Sequence, residues 1–280
     1  MVLALMLFSP LSLAADDGGD PAVFNFGITP VFLVDQAAFL EGWKEYLSAR
    51  LDRPVRFVRR KSYAEISDML LSGQLDAAWL CTFPYVFNRA SLRLVAIPEF
   101  QGEPYYRSYL IVPARDQTSR GYGDLEGAVF AYVEPRSNTG YLYPRFVITG
   151  LGREPQEFFR QTFFTWSHPE VVTAVAEGVA DAGAVDGYIW EVMARRDPQL
   201  TARTRVVERS IQFGFPPVVA GVFLDDDVML DLRSILMNMH RDPAGQALLD
   251  VLYLDRFVEP REDIYDNIPA MMERVLQISK

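Results

Sequence analysis

Residues 62–78 read SYAEISDMLLSGQLDAA, and residues 167–183 read SHPEVVTAVAEGVADAG. Aligned without a gap at an offset of 105 residues, both segments have a serine before a predicted helix, a glutamate three residues later and a glycine after the helix. Serine and glutamate at this spacing form the pattern of a capping box, and glycine commonly follows a helix end. A short apolar strand comes next in both copies. Each copy therefore predicts a helix followed by a strand. The helix begins at Tyr63 in the first copy and at His168 in the second.

The repeat indicates two similar α/β lobes. An offset of this length is too long for a solenoid, and two copies are too few for one. Around the first copy, strand-like segments at 55–58 and 75–80 alternate with helical spacing at 35–51 and 63–72, which predicts a largely parallel sheet. Ligands of open α/β sheets bind beyond the carboxyl ends of the strands. Two facing lobes should therefore share one cleft.

The expected lobe boundaries follow from these elements. We assign residues 21–112 with 213–280 to lobe one and residues 113–212 to lobe two. Hinge strands are expected near Ser108–Val112 and Phe213–Val219, so that the lobes close on a ligand about two crossing segments. The helices from Asp226 to the C-terminus are expected to pack back on lobe one.

The N-terminus and the composition indicate an exported protein. Residues 1–15 form an apolar run that ends in small residues and precedes an acidic stretch, which is typical of a signal peptide cleaved near Ala14. We therefore exclude residues 1–20 from the fold and predict a periplasmic location. The formal net charge is −10 and the pI is near 4.8. This balance disfavours nucleic acid and anionic membranes as partners.

Cysteine and histidine are scarce, which restricts the possible chemistry. Cys81 is the single cysteine, so no internal disulfide can form. The two histidines, His168 and His240, lack the spacing of metal ligands, and no glycine-rich nucleotide loop is present. We therefore predict neither a metal nor an organic cofactor.

A polar loop is the candidate oxyanion site. The sequence EPRSNTGY at 134–141 follows a strand-like segment at 128–133 and precedes a helical segment at 141–149. Hydroxyls, backbone N–H groups and the positive end of a helix dipole can together hold an anion at such a turn. The same residue types also cap helices that bind nothing. The candidates are Ser137, Asn138, Thr139 and Gly140.

The repeat adds hydrogen-bond donors from both lobes. It places Tyr63 and His168 at equivalent helix N-termini on opposite sides of the cleft, where each can bond an oxyanion. Aromatic clusters at strand ends contribute Tyr85 and Tyr106. Core packing is the default role of such residues, but a tyrosine suits a pocket wall because it joins an apolar ring to a polar tip.

A catalytic alternative uses the thiol. Cys81 with His168 as base, and Asp186 to orient the imidazole, is the side-chain set of a thiol enzyme. The simpler interpretation of Cys81 is a small buried hydrophobe.

These segments together resemble the phosphate-, phosphite- and phosphonate-binding proteins of ABC transporters. The resemblance covers about residues 24–260 and rests on both repeat copies, on PYYRSY at 104–109 and on SNTGY at 137–141. It implies a two-lobed type II periplasmic-binding-protein fold, with parallel-rich mixed sheets and two hinge crossovers, that delivers a small oxyanion to a membrane permease. The loop of that family usually reads Ser-Thr-Ser-Gly, so Asn138 departs from the pattern while keeping a donor. A second cleft aromatic of the family maps onto Phe83 or Tyr85.

The same superfamily includes oxyanion sensors that resemble arsenite-binding partners of histidine kinases. A cleft cysteine is a ligand in those proteins, and a thiolate favours a soft arsenite centre over a hard phosphoryl group. Transport with a permease and sensing with a membrane histidine kinase thus both remain possible. In either case we expect a monomer that binds without catalysing a reaction. The predicted ligand-contacting residues are Tyr63, Cys81, Tyr85, Tyr106, Ser137, Asn138, Thr139, Gly140, His168 and Asp186.

Overall fold

The computed structural model describes residues 22–29 and 37–278. The strands, in chain order, are β1 (Phe24–Ile28), β2 (Val55–Arg59), β3 (Ala77–Trp79), β4 (Leu92–Glu99), β5 (Tyr105–Tyr106), β6 (Ser108–Pro113), β7 (Val129–Tyr132), β8 (Gln161–Phe164), β9 (Ala182–Asp186), β10 (Thr204–Arg209), β11 (Phe213–Gly214), β12 (Val218–Gly221) and β13 (Arg256–Val258). The helices are α1 (Ala37–Leu51), α2 (Tyr63–Leu71), α3 (Thr82–Phe87), α4 (Tyr143–Gly150), α5 (Pro155–Phe158), α6 (His168–Ala176), α7 (Gly187–Arg196), α8 (Pro198–Thr201), α9 (Asp226–Asn238), α10 (Pro243–Leu252) and α11 (Ile268–Ile278). The predicted signal peptide lies outside the described residues.

The strands form two similar mixed sheets. The first has the order β13-β4-β12-β3-β1-β2, and the second has the order β10-β6-β9-β7-β8. In each sheet a central strand, β1 or β7, pairs in parallel with a strand on either side. An antiparallel strand, β12 or β6, then lies next to this parallel trio. We call the elements around the first sheet lobe one and those around the second sheet lobe two.

The predicted repeat is confirmed by hydrogen bonds at equivalent positions. The carboxylate of Asp76 accepts a 2.7 Å bond from the N–H of Asn25, and that of Asp181 accepts a 2.8 Å bond from the N–H of Val129. The N–H groups of both aspartates donate back to the carbonyl groups of the same two residues. Each repeated aspartate therefore anchors the third strand of the parallel trio to the central strand.

The two copies differ at the helix start. Ser62 forms the predicted capping box, in which its hydroxyl accepts a 3.2 Å bond from the N–H of Glu65 and the Glu65 carboxylate accepts one from the N–H of Ser62. The predicted second box was wrong, because the Ser167 side chain makes no cap bond to α6. Pro169 in the first turn removes one of the N–H groups that a cap would satisfy.

The strands that cross between the lobes differ in part from the expected hinge segments. Strands β5 and β11 pair with each other in a separate two-stranded sheet. The segment Ser108–Val112, predicted as a hinge strand, is instead part of β6 and pairs with β9 and β10. Its ladder bonds fix it within lobe two, so the chain crosses just before Ser108. The exact lobe boundaries remain a prediction.

The C-terminal helices contact both lobes. Helix α9 packs on β4 and β13, and α10 packs on α1, as expected for a return to lobe one. Helix α11 instead packs against α4 of lobe two, with the guanidinium of Arg274 5.4 Å from the centre of the Phe146 ring. Because α11 also packs on α3 of lobe one, the last helix bridges the two lobes.

Candidate functional site

The two helices of the repeat each begin with a buried polar residue. Tyr63 is the first residue of α2 in lobe one, and His168 is the first residue of α6 in lobe two, as the repeat predicted. Both side chains are buried. The pKa of Tyr63 is raised well above its usual value, chiefly by burial and then by Cys81, Glu134, Asp186 and Tyr106. These groups from both lobes therefore form one buried polar cluster.

The polar loop of lobe two enters this cluster as a tight turn. The Ser137 hydroxyl accepts a 3.0 Å bond from the N–H of Gly140, and the backbone of Asn138–Leu142 forms a π-helical turn that runs directly into α4. The helical segment thus begins three residues before the predicted start at Tyr141. A β-carbon on Gly140 would lie 2.3 Å from a methyl carbon of Val133, so only glycine fits. Single π-helical turns occur frequently at functional sites.

Asn138 uses two of its three N–H donors within the protein, and its contact with a ligand stays a prediction. Its backbone N–H donates to the sulfur of Cys81 at 3.5 Å, and its side-chain amide donates to the Tyr106 hydroxyl at 3.0 Å. Tyr106 then donates to Thr82, and Thr82 donates to the carbonyl of Gly214, at 3.0 Å each. This chain ties the loop to both crossing strands. It leaves the Asn138 carbonyl oxygen Oδ1 buried without a partner among the described residues.

His168 is held as a neutral donor. Its Nδ1 accepts a 2.9 Å bond from the N–H of Asp186, and burial lowers the imidazole pKa to about 3. Because Nδ1 accepts, the ring proton lies on Nε2, which has no partner within the described part of the chain. The Asp186 carboxylate itself caps α7 by accepting a 2.9 Å bond from the N–H of Tyr188. Asp186 therefore both orients His168 through its backbone and caps the next helix.

A buried carboxyl group, Glu134, was missed by the sequence analysis. Glu134 is the second residue after β7, is 2% exposed and accepts a 3.1 Å bond from the N–H of Arg136 on Oε2. Burial raises its pKa to about 7, an effect partly offset by the N–H groups of Arg136 and Tyr63. An acid at the carboxyl end of a strand, next to the polar loop, was the signal that could have identified it.

Cys81 lies in the cluster as a neutral thiol. It is 2% exposed, and burial raises its pKa to about 12. A thiol with this pKa does not form the thiolate that nucleophilic or arsenite chemistry needs. With Nδ1 of His168 engaged by Asp186, the geometry favours neither the sensor nor the thiol-enzyme alternative.

The predicted site residues do not all come together. Tyr106 lies in the cluster, whereas Tyr85 packs against Tyr265 with ring centres 4.9 Å apart, and its hydroxyl interacts with Glu262. Tyr85 therefore faces the C-terminal segment. Thr139 is fully buried, and its hydroxyl has no partner in the described structure.

Neither a metal site nor a membrane span is present among the described residues. No group of three or more metal-binding side chains is close enough to hold an ion. No helix within the described ranges is both long and apolar enough to cross a membrane.

Two mixed α/β sheets that meet over a buried polar cluster and are joined by paired crossing strands define a type II periplasmic solute-binding protein, as the sequence predicted. The chain belongs to the family of periplasmic substrate-binding proteins of phosphonate ABC transporters, whose model matches residues 26–265. Members of this family are exported and serve ABC importers.

Curated relatives and solved structures agree with this assignment. A probable ABC transporter phosphite-binding protein of Prochlorococcus marinus is 21% identical over 83% of this chain and 82% of its own length. A phosphate-import protein of Mycolicibacterium smegmatis is 25% identical over 65% of this chain, which spans 60% of that protein. The solved structure of a P. marinus protein of this type in complex with methylphosphonate has a TM-score of 0.81 at 20% identity, covering 92% of this chain and all of the other. A phosphonate-transporter binding component from Pseudomonas aeruginosa has a TM-score of 0.82 at 22% identity, covering 92% of this chain and 87% of the other.

Proposed function

We propose that the chain binds a small tetrahedral oxyanion, namely phosphate, phosphite or a phosphonate, between its lobes and delivers it to an ABC permease. The observation that carries this proposal is a set of buried donors without partners in the described structure: the hydroxyls of Tyr63 and Thr139 and Nε2 of His168. An unsatisfied buried polar group costs about 1–3 kcal/mol, so a ligand oxygen that bonds each donor is strongly favoured. The proposed site further includes Ser137, whose hydroxyl hydrogen remains available for donation.

The donors come from both lobes, which supports binding by closure. Tyr63 stands at the N-terminus of α2 in lobe one, and Thr139 and His168 belong to lobe two. A ligand bonded to all three is compatible only with the closed arrangement and would therefore stabilise it. Capture and release between two lobes suits delivery to a permease and requires no catalytic step. We accordingly propose a binding protein that is not an enzyme and that acts as a monomer.

The test is calorimetry and thermal melting with phosphate, phosphite, methylphosphonate, sulfate and arsenite. A ligand at 100 times its Kd adds about 2.7 kcal/mol to the free energy of unfolding. For a protein of this size that raises Tm by about 5–10 °C. The absence of a shift with every phosphorus oxyanion, or a shift with arsenite alone, would contradict the proposal.

The site is tested with a matched pair of threonine variants. Thr139→Val removes one unpartnered hydroxyl while keeping the shape of the side chain, and we expect it to weaken binding of the preferred oxyanion by about 5–100-fold. Thr149→Val changes another buried threonine, in α4, and should leave affinity unchanged. Equal affinities of the two variants would exclude the loop from the site.

Export is tested separately. We propose that the signal peptide is cleaved near Ala14, and N-terminal sequencing of the protein isolated from the periplasm checks this directly. Recovery of an intact N-terminus in the cytoplasm would contradict it.

A further inference from the structure

A cluster of positive charges lies directly before helix α2. Arg59, Arg60 and Lys61 are consecutive and exposed, and we call this segment the basic turn. No acidic residue occurs between Asp52 and Glu65, so three cations and one carboxylate give residues 59–65 a formal charge of +2. The chain as a whole carries a formal net charge of −10. The charge of this segment is therefore opposite in sign to that of the protein.

The basic turn adjoins the proposed binding site. Only Ser62 separates Lys61 from Tyr63, whose hydroxyl is one of the buried donors without a partner in the described structure. Consecutive Cα atoms are about 3.8 Å apart, so the Cα atom of Lys61 lies within about 8 Å of that of Tyr63. That distance is about one Debye length at physiological ionic strength, and exposed charges beyond it are largely screened. An anion that approaches Tyr63 therefore experiences the charge of the turn more strongly than the net charge of the chain.

The second copy of the repeat shows that this connection does not need positive charges to fold. At the offset of 105 residues, the basic turn aligns with Phe164, Thr165 and Trp166. Strands β2 and β8 end at equivalent residues, pair in parallel with the central strand of their sheets and lead into α2 and α6. Lobe two therefore makes the same strand-to-helix connection with uncharged side chains.

Structural roles within lobe one do not account for the charges either. Lysine and arginine often protect the edge strand of a sheet from aggregation. Both β2 and β8 are edge strands, yet β8 ends without a charged residue. The guanidinium of Arg60 donates to the carbonyl of Arg59, and neither Arg60 nor Lys61 forms an ion pair within the described part of the chain. The charges of both side chains are thus available to a passing anion.

We infer that the basic turn guides oxyanions into the site and so raises the rate of capture in a chain whose net charge repels anions. This inference rests on the proposed function. Charges of one sign along a cleft raise association rates by about 10–1000-fold, and the effect falls steeply with ionic strength. Charges at the rim of a site act mainly on the association rate, because they stay hydrated and make no buried contact with the bound partner. The buried donors therefore set the dissociation rate, and the basic turn sets the association rate.

The experiment measures association and dissociation rate constants by stopped-flow fluorescence on the full chain with phosphate, phosphite and methylphosphonate. Trp166, which is 47% exposed and lies two residues before His168, is an intrinsic reporter. For the wild type we expect the association rate constant to fall at least about threefold between about 0.01 M and 1 M salt, as the Debye length shrinks from about 30 Å to 3 Å.

A double variant, Arg60→Gln with Lys61→Gln, removes two charges and keeps polar side chains of similar length. At about 0.01 M salt its association rate constant should be about 3–10-fold below that of the wild type, with the dissociation rate constant unchanged within about twofold. At about 1 M salt the two proteins should associate equally fast. The matched control, Arg120→Gln with Arg241→Gln, removes the same charge from two exposed arginines, one in each lobe, and should keep the wild-type rates.

The outcomes separate the two proposals. Wild-type protein that binds none of the three oxyanions contradicts the proposed function itself. Wild-type protein that binds one of them at a rate independent of salt overturns the inference alone, and it does so whether or not the variant folds. The inference is also overturned by equal losses of rate in the variant and the control, or by a loss in the variant that persists at about 1 M salt.

Discussion

The backbone N–H of Asn138 donates a 3.5 Å hydrogen bond to the sulfur of Cys81, which joins the polar loop of lobe two to the residue that precedes α3 in lobe one. The bond crosses the cleft at its buried centre. Because burial holds the pKa of Cys81 at about 12, the contact is between neutral groups and needs no counterion. Cys81 therefore contributes packing where the two lobes meet. The surrounding hydrogen-bond donors would bind the anion.

Replacing Cys81 by alanine should affect stability more than binding. We expect the variant to keep its affinity for phosphorus oxyanions within about fivefold and to lose about 1 kcal/mol of unfolding free energy, since a small buried group is removed. Calorimetry and urea unfolding measure the two quantities. In the folded wild type, the buried thiol should also resist alkylation until the protein unfolds. A loss of affinity greater than 100-fold would show that the thiol contacts the bound oxyanion, contrary to this prediction.

Tyr63→Phe should separate binding from stability. The Tyr63 hydroxyl is buried without a partner in the described structure, so its removal relieves an unsatisfied group and should leave the ligand-free protein as stable or slightly more stable. Oxyanion affinity should fall by about 5–100-fold, because one donor is lost. Tyr85→Phe, a buried tyrosine outside the cluster, is the control for affinity. Unchanged affinity of the Tyr63→Phe protein, measured by calorimetry, would remove this side chain from the site.

The stability of the ligand-free protein should depend on pH through Glu134. Its folded pKa of about 7 lies above the ordinary value of 4.5, so the folded state holds a proton between these values that the unfolded state has lost. Stability from this group is complete below about pH 4.5 and is lost as the pH rises through 7. Burial also raises the pKa of Asp186 to about 7, so the stabilisation from this group is likewise lost as the pH rises. Burial lowers the pKa of His168 to about 3, so between pH 3 and 6.5 this group makes the folded state more stable as the pH rises.

Comparison with Glu134→Gln isolates this contribution, since Asp186 and His168 are common to both proteins. Between pH 5 and 7 the wild type should lose stability relative to the variant by up to about 1.4 kcal/mol per pH unit. Urea unfolding at several pH values measures the difference. A wild type that gains stability relative to the variant over this range would show that Glu134 is ionised and paired in the folded protein.

The sequence predicted the framework of the site because the framework is local. The helix starts at Tyr63 and His168, the glycines after both helices and the strands that follow are all set within about 20 residues, and the repeat makes each copy support the other. Side-chain direction is different, because it depends on partners far along the chain. The partner of Tyr106 is Thr82, that of Thr82 is Gly214, and neither pairing leaves a periodic signal. The role of Asn138 as a buried donor to Tyr106 therefore could not be deduced from spacing alone.

The asymmetry between the two repeat copies gives a paired prediction. Ser62→Ala removes a complete capping box and should cost about 1 kcal/mol of unfolding free energy. Ser167→Ala, at the equivalent position, removes a side chain that makes no cap bond and should cost less than half as much. Chemical denaturation of the two variants measures both costs. Equal losses would mean that Ser167 caps α6 in solution.

Gly140→Ala should damage the site through the backbone. A β-carbon at this position would lie 2.3 Å and 2.6 Å from two carbons of Val133, closer than real contacts allow. Val133 continues β7 and is fully buried, so the turn must move instead and displace Thr139 from its neighbours. We expect a loss of about 1–3 kcal/mol in unfolding free energy, typical of overpacking, together with a fall in oxyanion affinity of about tenfold or more. Gly123→Ala, where a β-carbon meets nothing within 4 Å, is the control and should change neither quantity. If Gly140→Ala binds as tightly as the control, measured by calorimetry on folded protein, the π-helical turn does not position the ligand.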